Sequence, residues 1–183
     1  MPDENTVNIA AIAAAKALRL LDPGPLADLR RMTPDLGAPA FWRLAARHPD
    51  TIGRDTQAWA AIITILAILT PKGAAENRPA LHDAKHAFGA VLCDGGDPNW
   101  SGDRPVFSER RLAQLLAARG PARIEALIRA ARILARTRPP GAGLDVRGIA
   151  WAVLHPDLTA RIAEHYYRRL DRATPAQTKE TTT

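Results

Sequence analysis

The sequence is poor in cysteine, lysine and aromatic residues, and it has no long hydrophobic run. Its one cysteine, Cys93, excludes an intramolecular disulfide and favours a reducing, cytoplasmic compartment. The most apolar run, residues 58–69, is much shorter than the roughly 20 residues that a membrane-spanning helix needs, so it predicts a buried helix. The first residues, MPDENTVN, are acidic and polar, which is not typical of a secretory signal. We therefore expect no membrane partner.

The sequence also lacks the motifs of common catalytic and metal-binding sites. The glycines of DGGDP, residues 94–98, are followed by no lysine and no Ser/Thr, so a plain turn is expected rather than a phosphate-binding loop. His82 and His86 have a spacing compatible with metal ligands, but without a CxxC or HExxH frame two surface histidines are favoured. Cys93 is more typical of a small core residue than of a nucleophile. We expect no catalytic residue, no metal and no cofactor.

Positive charge is what the sequence has in excess. Lysine and arginine number 25 against 19 acidic residues, which gives a net charge of +6. Residues 103–138 contain nine arginines and three acids, and nine minus three is +6, the charge of the whole chain. The nine are Arg104, Arg110, Arg111, Arg119, Arg123, Arg129, Arg132, Arg136 and Arg138. Such a local field favours a polyanionic partner, and the alternative is a merely solvated helix face.

This arginine-rich stretch predicts two helices with arginines outward, separated by Gly120-Pro121. Ser108 is suited to cap the first helix. Helical spacing predicts one buried face on the second helix, made of Ile124, Leu127, Ile128, Ala131, Leu134 and Ala135. Arg129, Arg132 and Arg136 fall together on the opposite face, where they would be free to meet phosphates.

The remaining segments also have helical spacing, and no alternating strand pattern of useful length appears. Asp145 is suited to cap one helix, and Asp55 or Thr56 to cap the central apolar helix. Residues 81–93 also predict a helix. The fold class is therefore all-α, a helical bundle of about eight helices in two closely packed halves.

We expect one domain over residues 1–171, followed by a disordered tail, residues 172–183, which has almost no apolar residue. The N-terminal helical half extends over about residues 5–93 and the C-terminal half over about 106–171. A turn-rich linker joins them and contains Trp100, which either stacks on a base or pins the linker.

Seven segments occur in an order that resembles a known family. They are LADLRRM (26–32), PAFWRL (39–44), FGAVL (88–92), FSERRLAQLLAA (107–118), ALIRAARIL (126–134), LDVRGIAWAV (144–153) and HYYRRL (165–170). The ordered set, especially RR, FWRL and SERRL before the arginine helix, is similar to the CasB family, the small subunit of the type I-E CRISPR surveillance complex Cascade. The resemblance covers about residues 18–170.

The resemblance implies an all-α protein without catalytic activity that binds nucleic-acid backbone and stabilises the R-loop and its displaced strand in antiviral defence. The partners it implies are the repeated backbone subunit and the large subunit of Cascade, CRISPR RNA, target DNA and a second copy of the chain. The positions that match the family's pattern are Arg31, Arg43, Arg110, Arg111 and Arg129, and Arg132 and Arg136 join them from helical geometry alone. Residues 71–79, a loop often basic in the family, hold only Lys72 and Arg78.

Other functions stay open as alternatives. A helical DNA-binding regulator would need base-reading side chains such as Asn or Gln at the start of a recognition helix, whereas the helix after Pro121 begins ARIEALI. An arginine-rich protein-interaction module would direct the same arginines at acidic protein surfaces. An enzyme with His82 and His86 as metal ligands is the third alternative.

Overall fold

The computed structural model describes residues 3–33, 37–102, 104–157 and 159–173, and these residues form nine α-helices, a single 3₁₀ turn and no strand. The helices are α1 (Glu4–Leu20), α2 (Pro23–Arg31), α3 (Pro39–Arg47), α4 (Thr56–Leu69), α5 (Phe88–Asp94), α6 (Glu109–Ala117), α7 (Gly120–Thr137), α8 (Val146–Leu154) and α9 (Ala160–Ala173). The all-α prediction is confirmed, with one helix more than the eight expected. Of the predicted tail, residues 174–183 lie outside the described residues.

Helix α4 is the centre of the bundle. Its residues are buried almost all round, and it packs against α1, α2, α3, α7 and α8. The side chain of Asp55 caps it, since Asp55 Oδ1 accepts a hydrogen bond from the Ala58 amide at 3.1 Å. The sequence-based expectation of a central apolar helix capped at this point is confirmed. The division of the chain into two halves stays a prediction.

The helix predicted over residues 81–93 begins only at Phe88, so its first half was wrongly predicted. Residues before Phe88 run alongside the start of α8 instead. Leu144 N–H donates to Leu81 O at 2.8 Å, and Asp83 N–H donates to Leu144 O at 2.9 Å. Backbone groups of this segment are therefore hydrogen-bonded to a residue more than sixty positions away, instead of to neighbouring residues in a helix.

Helices α5 and α9 pack closely together, and a glycine permits it. A Cβ atom on Gly89 would lie 2.2 Å from the backbone oxygen of Ile162 and 3.0 Å from His165 Cβ. No side chain larger than hydrogen fits there without separating the helices. Tyr166 lies on the same part of α9, fully buried, and its hydroxyl donates to Phe107 O at 2.7 Å.

Buried or half-buried arginines cap the carboxyl ends of several helices. Arg123, only 1% exposed, donates from Nε to Ala152 O at 2.9 Å and from Nη1 to Leu115 O at 3.0 Å. Those carbonyls lie in the last turns of α8 and α6, where no intrahelical N–H is available. The guanidinium thus meets the negative ends of two helix dipoles.

Three further arginines act in the same way. Arg78, 2% exposed, donates to Arg19 O and Leu21 O at the end of α1. Arg30 donates to Ala67 O at 2.9 Å and Thr70 O at 2.7 Å, and Arg138 donates to Leu69 O at 2.6 Å, all at the end of α4. Burial lowers the pKa of Arg30, Arg123 and Arg138 below the usual arginine value.

The expectation that the arginines of the two arginine-rich helices point outward was therefore wrong for two of them. Arg123 and Arg138 are directed into the fold, while the other seven arginines of residues 103–138 are exposed. The buried face of α7 is also rotated from the predicted one, because Arg123, Ala126 and Ala130 belong to it. Ile124 and Ile128 are only half-buried, and Ala135 is exposed.

We predict that Arg123→Met destabilises the chain by about 2–4 kcal/mol, because two buried carbonyls lose their donor while most of the side-chain volume remains. Urea unfolding followed by far-ultraviolet circular dichroism measures the change. The matched control on the same helix is the exposed Arg132→Ala, expected within about 0.5 kcal/mol of the parent. Equal stabilities of the two variants would contradict a capping role for Arg123.

We predict that the Cys93 thiol is unreactive in the folded chain. Cys93 is fully buried, and burial raises its pKa to about 12, with a further upward contribution from the Asp94 carboxylate. At pH 8 the reactive thiolate is then about a thousandfold scarcer than in the unfolded chain. A disulfide reagent should modify Cys93 rapidly only in guanidinium chloride. Modification at the same rate without denaturant would contradict this.

Candidate nucleic-acid interface

A groove of about 450 Å³ lies between α6 and α7. Its lining consists of four arginines, four apolar residues and a glutamine: Arg111, Arg129, Arg132, Arg136, Phe107, Leu115, Ala126, Ile133 and Gln114. Within the described part of the chain, no acidic side chain lines it. The groove is therefore a concave surface of concentrated positive charge, which attracts anions more strongly than a flat face with the same charges.

Three arginines of one wall come from a single row on α7. Arg129, Arg132 and Arg136 follow one another at spacings of three and four residues, which place them on one helix face. Arg111 comes from the facing wall on α6. The predicted clustering of the α7 row is thus observed, and the structure adds Arg111 to it.

The charges of the groove are mostly uncompensated. Arg129 forms an exposed ion pair with Glu125 at 3.6 Å, one turn earlier on α7. Such an exposed pair contributes little and is readily exchanged for another anion. Among the described residues, Arg111, Arg132 and Arg136 have no ion-pair partner. Their guanidinium groups are available for a ligand.

The remaining candidate arginines lie outside this groove. Arg110 is exposed on α6 but does not line it. Arg31, at the end of α2, pairs with Asp28 at 3.1 Å. Arg43, on α3, lines a separate pocket with Arg47 and apolar residues of α3 and of the end of α1. The structure thus gathers four of the seven candidates and leaves three dispersed on exposed faces.

The groove has a fixed floor. Phe107 donates its N–H to Leu92 O at 2.9 Å and accepts from the Tyr166 hydroxyl at 2.7 Å. The wall on α6 is held by Arg123, whose Nη1 donates to Leu115 O. Sequence reasoning missed Arg123 as a supporting residue. The signal was available, since Arg123 precedes the buried Ala126 and Leu127 by three and four residues and so shares their face.

The other candidate chemistry is not assembled into a site. His82 and His86 lie in a non-helical segment, not on one helix face. His86 Nδ1 contacts Asp83 Oδ2 at 2.9 Å, and His82 Nδ1 lies 3.7 Å from Asp145 Oδ1. Among the described residues, no three side chains of His, Cys, Asp or Glu converge as a metal would require.

Trp100 has the contacts of a residue that pins its loop. The Arg169 guanidinium carbon lies 5.1 Å from the centroid of the Trp100 ring, and Trp100 Nε1 donates to Arg104 O at 3.3 Å. Arg169 in turn donates to Asp94 Oδ2 at 2.5 Å. Arg169 thus joins α9 to both the start and the middle of the linker, and it covers one face of the indole.

None of the helices in the described part of the chain combines the length and apolar content needed to cross a bilayer. No curated protein matches the chain. The family model described as CRISPR-associated protein Cse2 matches residues 25–176, which includes all of α2 except its first two residues, the whole of α3–α9 and the whole groove. The chain therefore belongs to the Cse2 family, also called CasB, the small subunit of the type I-E CRISPR complex Cascade.

Proposed function

We propose that the chain is a non-catalytic, cytoplasmic subunit whose α6–α7 groove holds the backbone of the displaced DNA strand and so stabilises the R-loop. The observation that carries this proposal is the convergence of Arg111, Arg129, Arg132 and Arg136 on one groove, in whose lining no acidic residue stands among those that the structure describes. The guanidinium fork suits phosphate oxygens, and each phosphate neutralised releases condensed counterions.

A modest number of phosphate contacts is enough to stabilise an R-loop. The RNA–DNA duplex formed is about as stable as the DNA duplex opened, so modest protein contacts to backbone tip the balance. Contacts to phosphates carry no base information, which agrees with a complex whose guide RNA supplies the sequence specificity. We propose the exposed Arg31, Arg43 and Arg110 as further backbone contacts outside the groove, on CRISPR RNA or target DNA.

Within Cascade, we propose contacts with the repeated backbone subunit, the large subunit and a second copy of the chain. These proposals rest on membership of the Cse2 family. A duplex-reading regulator is less well supported, because α7 begins with Gly120 and Pro121 and turns its early Arg123 into the core. The groove does contain one amide able to read a base edge, that of Gln114, but Gln114 lies on α6 and not at the start of α7.

We predict that the triple variant Arg129→Ala, Arg132→Ala and Arg136→Ala weakens single-stranded DNA binding about equally for all sequences. The slope of log affinity against log salt should shrink by up to about 0.7 for each phosphate that the variant no longer neutralises. Fluorescence anisotropy of labelled oligonucleotides over a salt series measures both quantities. Stability should be retained, because all three side chains are exposed and alanine favours helix.

The matched control removes equal charge elsewhere, by replacing the exposed Arg54, Arg161 and Arg168 with alanine. It should retain most of the affinity, because these arginines do not line the groove. If both triple variants lose affinity equally, net charge and not the groove governs binding. If the groove variant keeps both its affinity and its salt slope, the α7 row is only a solvated face.

We predict that the chain, co-expressed with its genomic neighbours, purifies with repeated backbone subunits and a CRISPR-derived guide RNA. Affinity purification followed by gel filtration and sequencing of the bound RNA tests this. The control is the chain expressed alone, which should elute without guide RNA. A folded chain that elutes alone in every co-expression would count against the proposed partners.

A further inference from the structure

The α6–α7 groove contains more than a phosphate-binding site requires. Cationic side chains bind phosphate, yet only four of the nine lining residues are arginines. Four others are apolar: Phe107, Leu115, Ala126 and Ile133. Phe107, Leu115 and Ala126 are buried and Ile133 is half-buried, so the apolar surface open to a ligand belongs mainly to Ile133. A hydrated phosphate gains nothing from that surface, which favours a ligand part that leaves water. A volume of about 450 Å³ also leaves room beyond the anion itself. The lining therefore fits a ligand with both an anionic and a flat, weakly polar part.

On α7, the arginines and the apolar residues of the groove occupy adjacent angular positions around the helix. At roughly 100° per residue, Ala126 and Ile133 lie about 40–60° round the helix from Arg129. They separate the row of Arg129, Arg132 and Arg136 from the buried face that holds Leu127 and Ala130. The arginines thus form the rim of the groove, and the apolar residues form its floor.

We infer that the groove accepts an unstacked base of a single DNA strand on this floor while the rim arginines hold the flanking phosphates. This inference rests on the proposed function and adds a base-binding role to it. Guanidinium planes also stack on nucleobases, so the rim can contact both parts of a nucleotide. Gln114 offers a donor and an acceptor to any base edge, which permits contact without strong selection among bases.

The floor is preorganised for such contact. Phe107 is tied to α5 through Leu92 O and to α9 through the Tyr166 hydroxyl. Leu115, on α6, is held through its carbonyl by the buried Arg123. A floor fixed by three helices does not have to be ordered when the base enters, so the stacking gain is retained as affinity. Paired bases in a duplex are not available for this contact, so the groove favours single strands.

The test compares an oligothymidylate with a strand of equal length in which every nucleotide is an abasic tetrahydrofuran phosphate. The two ligands carry the same number of phosphates and differ only in the bases. For the full-length chain, we expect the abasic strand to bind between about fivefold and 150-fold more weakly. The salt slopes should be equal, because the phosphate contacts are the same.

A variant then localises the effect to the groove. Ile133→Ser keeps every arginine and should bind both strands with nearly the affinity that the parent has for the abasic strand. The control is Ile128→Ser, half-buried on the same helix but absent from the groove lining, which should preserve the difference between strands. Urea unfolding of both variants checks that they are folded, and the comparison of strands on the parent chain needs no variant.

The outcomes separate this inference from the proposed function. Equal affinity of the parent chain for both strands would overturn base binding and leave backbone binding intact. Binding of neither strand at low salt would overturn both. If Ile133→Ser still distinguishes the two strands as the parent does, bases are bound outside this groove and the inference fails.

Discussion

Helix carboxyl ends present carbonyls that have no partner within the helix, and this fold satisfies many of them with arginine. The constraint is sharpest where proline follows the helix. The residue four beyond Ala67 is Pro71, and the residue four beyond Ala152 is Pro156, so neither carbonyl has an N–H at the usual position. Arg30 and Arg123 supply the missing donors from other helices. The bundle is thus joined through hydrogen bonds from charged side chains to backbone, and these side chains have no carboxylate partner among the described residues.

The same residue type consequently serves two unrelated purposes on one helix. Arg123 and Arg129 are both on α7, yet the first is buried and the second borders the groove. What separates them is angular position, because six residues correspond to roughly two-thirds of a turn beyond one complete turn. Net charge therefore overstates the surface available to a polyanion, since part of it neutralises helix dipoles inside the fold.

Much of the fold could be predicted from local patterns, because most of its helices are amphipathic and some are capped by an aspartate, although Ser108, the predicted cap of α6, makes no capping hydrogen bond. The Asp55 and Asp145 caps and the fully apolar α4 are examples. What could not be predicted depends on distant partners: the late start of α5 follows from backbone pairing with Leu144. For the site, periodicity predicted the arginine row of α7, but the groove required knowing that Phe107 lies beneath it, and that position depends on Tyr166.

Two backbone hydrogen bonds join the two ends of the linker between α5 and α6. Val106 N–H donates to Cys93 O at 2.8 Å, next to the bond between Phe107 and Leu92, so the two ends of the loop are neighbours whatever lies between them. The entropic cost of closing such a loop rises only slowly with its length, by about 0.6 kcal/mol per doubling. We therefore expect insertions in this linker to leave the spacing of α5 and α6, and with it the shape of the groove, nearly unchanged.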